Sequence, residues 1–415
     1  MTSPPAPDLV LDLADPCFLD DPYPLLARLR AHAPVVWHEQ TGQWLATTYA
    51  ESNGLLRDRR FGRIWRDRQP AGASEPFTPQ NPANPLDSFN ALHRNQMMES
   101  EPPDHTRLRS LVAKAFARGH VERLRPRVQA IADSLLAAAG AGGGAAFDLI
   151  EDFAEPLPVA VIAELLGVPE ADRHLLRPWS AAIVAMYEYD RTPAVEAAAV
   201  SSAADFTAYV RDLADDRRRH PQDDLVSDLA AAEDGGSRLS NDELVASAIL
   251  LLNAGHEASV NAFGNGVVAL LSHPDQLALV RASLDDADAV ALAIEEMLRY
   301  DAPLQLFERT ASQDVEVGGV PVRAGGRVAA LLGAANHDPA AFADPTRFDV
   351  TRARNPHIGF GAGVHHCLGA PLARMELQVS LAALLRRCPD LASAGAPVRR
   401  PTFVLRGYSS VPVVG

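Results

Sequence analysis

The chain has 415 residues, 47% of them apolar and 22% charged, enough to bury a large core or more than one domain. A formal charge of −15 with a pI near 5.3 gives nucleic-acid binding no electrostatic support at the level of the whole chain. Three cysteines without paired spacing, and no basic, apolar segment at the N-terminus, predict a reduced cytoplasmic protein without signal peptide or membrane anchor.

Residues 1–8, MTSPPAPD, read as a disordered lead-in, because nothing in them can be buried. Residues 35–49, rich in β-branched and aromatic types around Thr41-Gly42, predict a β-hairpin. The proline-rich stretch 61–88 reads as a long loop, either functional or a plain surface connection. Pro102-Pro103-Asp104 then starts a helix on which His105 and Arg109, four apart, share a face able to grip an anion. A solvated helix surface is the plainer explanation of such a pair. The glycines at 140–144 read as a flexible loop, since no Lys-Ser/Thr follows to make a phosphate cradle. Several packed helices follow to about residue 219. In them the aromatic tract 179–189 reads first as core packing.

Ser240 and Glu243 form a capping box that opens a long apolar helix running to Leu271. Asn253, His256, Glu257, Asn261 and Asn265 interrupt it well short of the ~20 apolar residues a bilayer requires, so it is expected to be a buried central helix. Ala254-Gly255 remove bulk in mid-helix and leave a backbone groove beside Glu257. Farther on, Glu296 and Arg299 stand three apart, a spacing that lets them pair on a helix. Residues 314–332 read as short strands turning at Gly318-Gly319 and Gly325-Gly326, and the end of the chain, from 402, reads as another strand pair.

The most informative stretch is FGAGVHHCLG at 360–369. Gly361, Gly363 and Gly369 clear side chains from the backbone around Cys367, and the periodicity of Leu372, Met375, Val379, Ala382 and Leu385 begins a helix just after it. A helix N-terminus stabilises a thiolate, and a thiolate is a soft, electron-rich ligand for haem iron. A buried structural cysteine is one alternative. A zinc site on His365, His366 and Cys367 is another, disfavoured because three adjacent side chains converge poorly and no CxxC partner exists.

The pattern Phe360-x-x-Gly363-x-His365-x-Cys367-x-Gly369 resembles the haem-binding signature of the cytochrome P450 family, with every fixed position filled. The resemblance implies a mainly α fold with small β-sheets and a long central helix over a buried haem b, and one catalytic domain over residues 9–415. It makes Cys367 the axial iron ligand, packs Phe360 and Gly361 against the ligand loop, and turns His365, His105, Arg109 and Arg309 toward haem propionates. Buried carboxylates demand such cationic partners. It places dioxygen in the groove at Ala254-Gly255, beside Glu257, and joins Glu296, Arg299 and Arg347 in a buried scaffold network. Leu304, Gln305, Leu306 and Tyr408 become pocket residues, and the 61–88 loop and the 179–189 tract also match pocket-lining segments.

One departure stands out. The family has a threonine after the acid, whose hydroxyl helps deliver protons, where this chain has Ala258 and then Ser259. Alanine cannot donate, and Ser259 points about 100° farther round the helix. Protons must then come from ordered water, Glu257 or a hydroxyl on the substrate. An Ala-Ser pair is similar to that of bacterial hydroxylases of macrolide-type natural products. The implied function is a haem-thiolate monooxygenase acting on a hydrophobic organic substrate, a secondary metabolite such as a macrolide or terpenoid. Its electrons would come through ferredoxin and ferredoxin reductase docking near Lys114, Arg118, Arg123, Arg125 and Arg374. Peroxide-driven oxidation, phenol coupling or dehydration are kept open by Ala258, and a non-catalytic haem module is the rival from another class.

Overall fold

A computed structural model describes residues 9, 11–63, 84–113 and 118–415, the side chains of 118–120 excepted. The expected lead-in at 1–8, most of the 61–88 loop, Lys114 and the Arg118 side chain lie outside the described residues. The chain forms two compact units with interleaved segments. One comprises Met1–Gly62, Val128–Pro156 and Ala258–Gly415, and the other Arg63–Arg127 and Leu157–Glu257.

The first unit is built on a five-stranded sheet in the order 35–38, 43–46, 327–331, 306–311, 61–62. The expected hairpin pairs Val35 with Ala46 and turns at Gly42, which has φ +60°; the residues after it leave the sheet and form the helix Tyr49–Arg57. Strand Arg327–Leu331 lies parallel to Gln43–Ala46 and antiparallel to Leu306–Ala311. Its run Val328-Ala329-Ala330-Leu331 is apolar without alternation because both faces are covered. Val328 and Ala330 join a cluster with Val35, Phe61 and Ile358, whereas Ala329 and Leu331 join one with Phe18, Leu26 and Leu45. Val315–Val317 and Val320–Val322 form the hairpin expected at Gly318-Gly319.

The chain's last strands do not pair with each other as expected. Tyr408–Ser410 pairs with Val398–Arg399, while Pro412–Val414 lies between Ala392–Ser393 and Ala146–Asp148. Nor do the glycines at 140–144 hang loose. Arg387 donates to the Ala141 carbonyl at 2.7 Å, and a Cβ at Gly142 would meet the Arg387 carbonyl at 2.6 Å.

In the second unit the 27-residue helix Pro193–Arg219 packs on Arg173–Val184, with Trp179 stacked on Phe206 at 5.2 Å, which is the core role expected of that tryptophan. The helix Asp104–Ala113 begins where the prolines place it. The capping box forms: Glu243 accepts from the Ser240 N–H at 2.8 Å, and the Ser240 hydroxyl accepts from the Glu243 N–H at 3.2 Å. Glu243 also takes the Arg107 guanidinium. From there the central helix runs unbroken over Asn241–Ser272, its 32 residues passing from the second unit into the first after Glu257. At Gly266 the helix Ala287–Tyr300 comes so close that a Cβ would lie 2.1 Å from Met297.

Candidate active site

Cys367 sits three residues before the helix Ala370–Arg387, after a single 3-10 turn at Gly363–His365. Its N–H donates to the Phe360 carbonyl at 2.9 Å, which closes the loop on itself. Gly361 and Gly363 both have φ +70°, a conformation in which L side chains are strained. A Cβ at Gly363 would lie 2.2 Å from the Leu56 carbonyl, so the loop rests directly on the end of the helix Tyr49–Arg57. Cys367 is exposed, and a Cβ at Gly369 would come only to 3.9 Å from its sulfur.

That donor set suits a haem and not a bare ion. Cys367 offers one exposed thiol, and among the described residues no group of three or more His, Cys, Asp or Glu side chains could hold a metal. Each unit also carries buried basic side chains suited to carboxylates. Arg309, on strand Leu306–Ala311, is 4% exposed and donates to the Glu308 carbonyl at 2.9 Å. In the second unit His105 is 2% exposed, with Arg109 half-buried on the same helix. His365 is half-buried beside the cysteine. When bound, haem supplies the activation of dioxygen, and Cys367 with these basic side chains would hold it.

On the central helix Glu257 is 6% exposed, whereas Ala254 is exposed and Gly255, Ala258 and Ser259 are half-exposed in an otherwise buried stretch. Three residues beyond Ala258, Asn261 is 1% exposed and neither of its amide atoms has a hydrogen-bond partner among the described residues; a Cβ at Gly407 would sit 2.0 Å from its Oδ1. One turn on, Asn265 is fully engaged. It donates to the carbonyls of Asp301 and Arg406, each at 3.0 Å, and accepts from Arg399 at 3.2 Å.

Glu296 and Arg299 pair as their spacing predicts, at 2.7 and 2.8 Å, both wholly buried. The third arginine is not the expected one. Arg352 reaches Glu296 at 3.1 Å, and Arg347 contributes its carbonyl, which accepts from Arg299 at 3.0 Å and from Arg352 at 3.1 Å. Asn355 and the Asp349 N–H complete the set around Glu296, at 3.1 and 2.8 Å. The neighbouring Glu295, which the sequence reading passed over, is held by His357 and Arg374. Burial alone would raise its carboxyl; the hydrogen bonds from His357 and from the Arg374 guanidinium outweigh it and bring it down to about 2. Glu376, two turns into the cysteine helix, goes the other way, burial pushing its carboxyl up to about 8.

Of the expected pocket residues, only Leu304 stays half-buried. Gln305 is fully buried, donating to the Ala302 carbonyl at 2.8 Å, and Leu306 belongs to the core cluster with Leu26 and Leu45. Tyr408 is 6% exposed under the Arg399 guanidinium, 3.9 Å from the ring centre, and burial lifts its hydroxyl to about 12. The preceding Arg406 is locked to Asp301 at 2.7 Å and to the carbonyls of Leu19 and Asp20. The turn therefore serves as a buried tie. Among the expected docking cations, Arg125 pairs with Glu122 and Arg374 is committed to Glu295, while Arg123 is exposed.

The cytochrome P450 family model matches residues 195–391. PikC, a cytochrome P450 monooxygenase of Streptomyces venezuelae, is 42% identical over 99% of this chain and 94% of its own length. The 6-deoxyerythronolide B hydroxylase of Saccharopolyspora erythraea is also 42% identical, over 97% of this chain and 98% of that one. Among solved structures, P450BioI in complex with an acyl carrier protein superposes with a TM-score of 0.87 at 36% identity, covering 96% of this chain and 99% of that one. No helix among the described residues is long and apolar enough to cross a membrane. With the cysteine signature filled, the mainly helical fold and relatives matched end to end, the chain belongs to the cytochrome P450 family and is a haem-thiolate monooxygenase.

Proposed function

We propose that this cytochrome P450 hydroxylates a macrolide-type polyketide that itself carries hydroxyl groups, and that a substrate hydroxyl completes the proton path left open at Ala258. The observation that carries this reading is the helix face at 258–261. Ala258 and Ser259 are half-exposed, and three residues on, a buried amide, Asn261, has no hydrogen-bond partner among the described residues. An orphaned buried amide costs about 1–3 kcal/mol, so a polar group placed there by substrate, or a relay water, is favoured. One 42%-identical relative is named as the hydroxylase of 6-deoxyerythronolide B, a macrolactone, which supports the substrate class. Glu257, buried next to Ala258, is the protein's own candidate acid.

In the same reading Cys367 ligates haem b, His365, Arg309, His105 and Arg109 take its propionates, and Ala254-Gly255 admit dioxygen. Phe360 and Gly361 shape the ligand loop, and Leu304 reaches the substrate. Electrons arrive from a ferredoxin and its reductase in the cytoplasm. Residues 9–415 act as one catalytic domain, because neither unit is a contiguous stretch of chain.

Paired macrolactones that differ by one hydroxyl test the proposal. Product formed per NADPH, with surrogate ferredoxin partners, should fall about ten-fold or more for the compound lacking the hydroxyl, peroxide taking up the difference. Ala258→Thr should restore coupling for that compound. Equal coupling for both compounds in the wild-type enzyme would refute the substrate-hydroxyl path. Ala258 also favours a second reading, oxidation driven by peroxide. Product formation from hydrogen peroxide alone, at the rate reached with NADPH, would select it.

A further inference from the structure

Glu295 and Glu296 are consecutive on the helix Ala287–Tyr300, so they project about 100° apart and enter different clusters. Glu296 serves the buried scaffold. Glu295 does something else: its Oε2 accepts from His357 Nε2 at 2.9 Å, and its two oxygens accept from Arg374 Nε and Nη2 at 2.6 and 2.9 Å. His357 lies just before the cysteine loop and Arg374 just after it, on the cysteine helix. One carboxylate therefore joins the two ends of the segment that carries Cys367.

The rest of the loop is keyed to the same two residues. His357 Nδ1 accepts from the Gly359 N–H at 3.1 Å, so Nε2 holds the proton donated to Glu295. The Arg374 guanidinium lies 4.5 Å from the centre of the Phe360 ring, and the Phe360 carbonyl accepts the Cys367 N–H at 2.9 Å. His357 thus fixes the entry to the loop, while Arg374 fixes its exit and, through Phe360, bears on the cysteine. An exposed ion pair of this kind contributes at most about 1 kcal/mol. This one is bidentate, and its histidine side chain is 2% exposed. Arg374 stands on the helix that opens three residues after Cys367 and lies over Phe360, whose carbonyl holds the Cys367 N–H, so its charge belongs to the same short segment as the sulfur.

We propose that Glu295 is a positioning residue, a carboxylate clasp that closes the cysteine loop through His357 and Arg374 and neutralises Arg374 on the cysteine helix. The inference rests on Cys367 ligating haem as a thiolate. Removing the Glu295 charge has two effects of separate origin. The loop loses its closure, and Arg374 is left as an uncompensated cation near the sulfur, which stabilises the thiolate charge, weakens its donation to iron and raises the reduction potential.

The test uses the full haem-loaded chain and the variants Glu295→Gln, Arg374→Met and, as control, Glu122→Gln, which breaks an exposed arginine pair elsewhere. Two quantities are read: the ferric/ferrous potential, and the rate at which the ferrous carbonyl complex loses its red-shifted Soret band below the melting temperature. E295Q should raise the potential and lose the band about ten-fold faster. R374M should also lose the band faster, but with the potential moved down, because it removes the cation. E122Q should match wild type on both. A general loss of stability would not move the potential in opposite directions in E295Q and R374M, so equal shifts of one sign overturn the proposal, as does an E295Q enzyme matching wild type. Should E295Q fail to take up haem, His357→Gln, which keeps a donor, is expected to retain the band where His357→Ala loses it; equal behaviour of these two overturns the clasp. Failure of the wild-type enzyme to show the band at all would instead reject thiolate ligation itself.

Discussion

Gly363→Ala probes the cysteine loop with one carbon atom. The residue has φ +70°, which costs an L side chain about 1–2 kcal/mol. The new Cβ would stand 2.2 Å from the Leu56 carbonyl and 3.1 Å from the Arg57 Cα, both backbone positions of the helix Tyr49–Arg57, so neither can rotate aside. Ordinary contact begins near 3.4 Å, so loop and helix must part by more than 1 Å. Overpacking of this kind adds about 1–3 kcal/mol, for a total of about 3 kcal/mol. A displacement of about 1 Å is also the scale on which a site loses around two orders of magnitude in function. The comparison is Gly361→Ala, with the same φ of +70° but a Cβ meeting only the edge of the Phe307 ring, at 3.1 Å. A ring can turn, which leaves the backbone cost of about 1–2 kcal/mol. Reduced, carbon monoxide-treated enzyme should show most of its red-shifted Soret band in G361A and little in G363A, and guanidinium midpoints should fall in the same order. G363A with wild-type band and midpoint would refute the reasoning.

Other perturbations follow from the same geometry. Arg299→Met takes a donor from the carbonyls of Asn336, Pro345 and Arg347 and half the charge compensation from a wholly buried Glu296, and is expected to cost about 3–5 kcal/mol by denaturant midpoint. Glu296→Leu combined with Arg299→Met should be less damaging than the two single costs summed, because no buried charge is left alone; a double variant as bad as the sum would contradict this. Glu376 has a folded-state pKa raised to about 8 from its ordinary 4.5, so its contribution is best below pH 4.5 and is lost as pH rises through 8. Glu376→Gln should therefore gain melting temperature over wild type between pH 5 and pH 8, and a difference independent of pH would show that the carboxyl is already ionised. Asp301 is the opposite case: burial would raise it, but Arg406 and Arg399 hold it low, so Arg406→Met should destabilise at neutral pH by about 3 kcal/mol, and progressively less in acid. An equal loss at every pH would place the damage in the carbonyl contacts of Leu19 and Asp20 instead.

Local rules were readable from the chain; long-range choices were not. The capping box at Ser240, the turn at Gly42, the hairpin at Gly318-Gly319 and the extent of the central helix all depend on residues within a few positions of one another. The Cys367 loop was legible because glycines, an aromatic and a cysteine occur at fixed offsets that only a close backbone turn requires. By contrast, strand 327–331 lies parallel to 43–46, and nothing in either short segment names the other. Arg347 and Arg352 are equally plausible partners for Glu296 by sequence, and the turn at 344–352 decides in favour of Arg352 by spending the Arg347 carbonyl instead. Glu295 was hidden beside its neighbour, since a pair of adjacent acids gives no sign that each faces a separate cluster. The resemblance made Tyr408 and Gln305 pocket residues, and tertiary packing buries both under other chain segments.

The interleaving of the two units has a bearing on biogenesis. Chains leave the ribosome at about 5–20 residues per second from the N-terminus, and domains tend to fold as they emerge. The second unit is complete once Glu257 has emerged, whereas the first waits for strand Pro412–Val414, which pairs with Ala146–Asp148. Arrested nascent chains stopping short of residue 412 should accordingly protect amides in 157–257 and leave those of 146–148 in exchange. With Cys367 as the proposed ligand, prosthetic-group capture follows synthesis of the whole second unit, and a shortage of haem would be felt by chains already extended past residue 367.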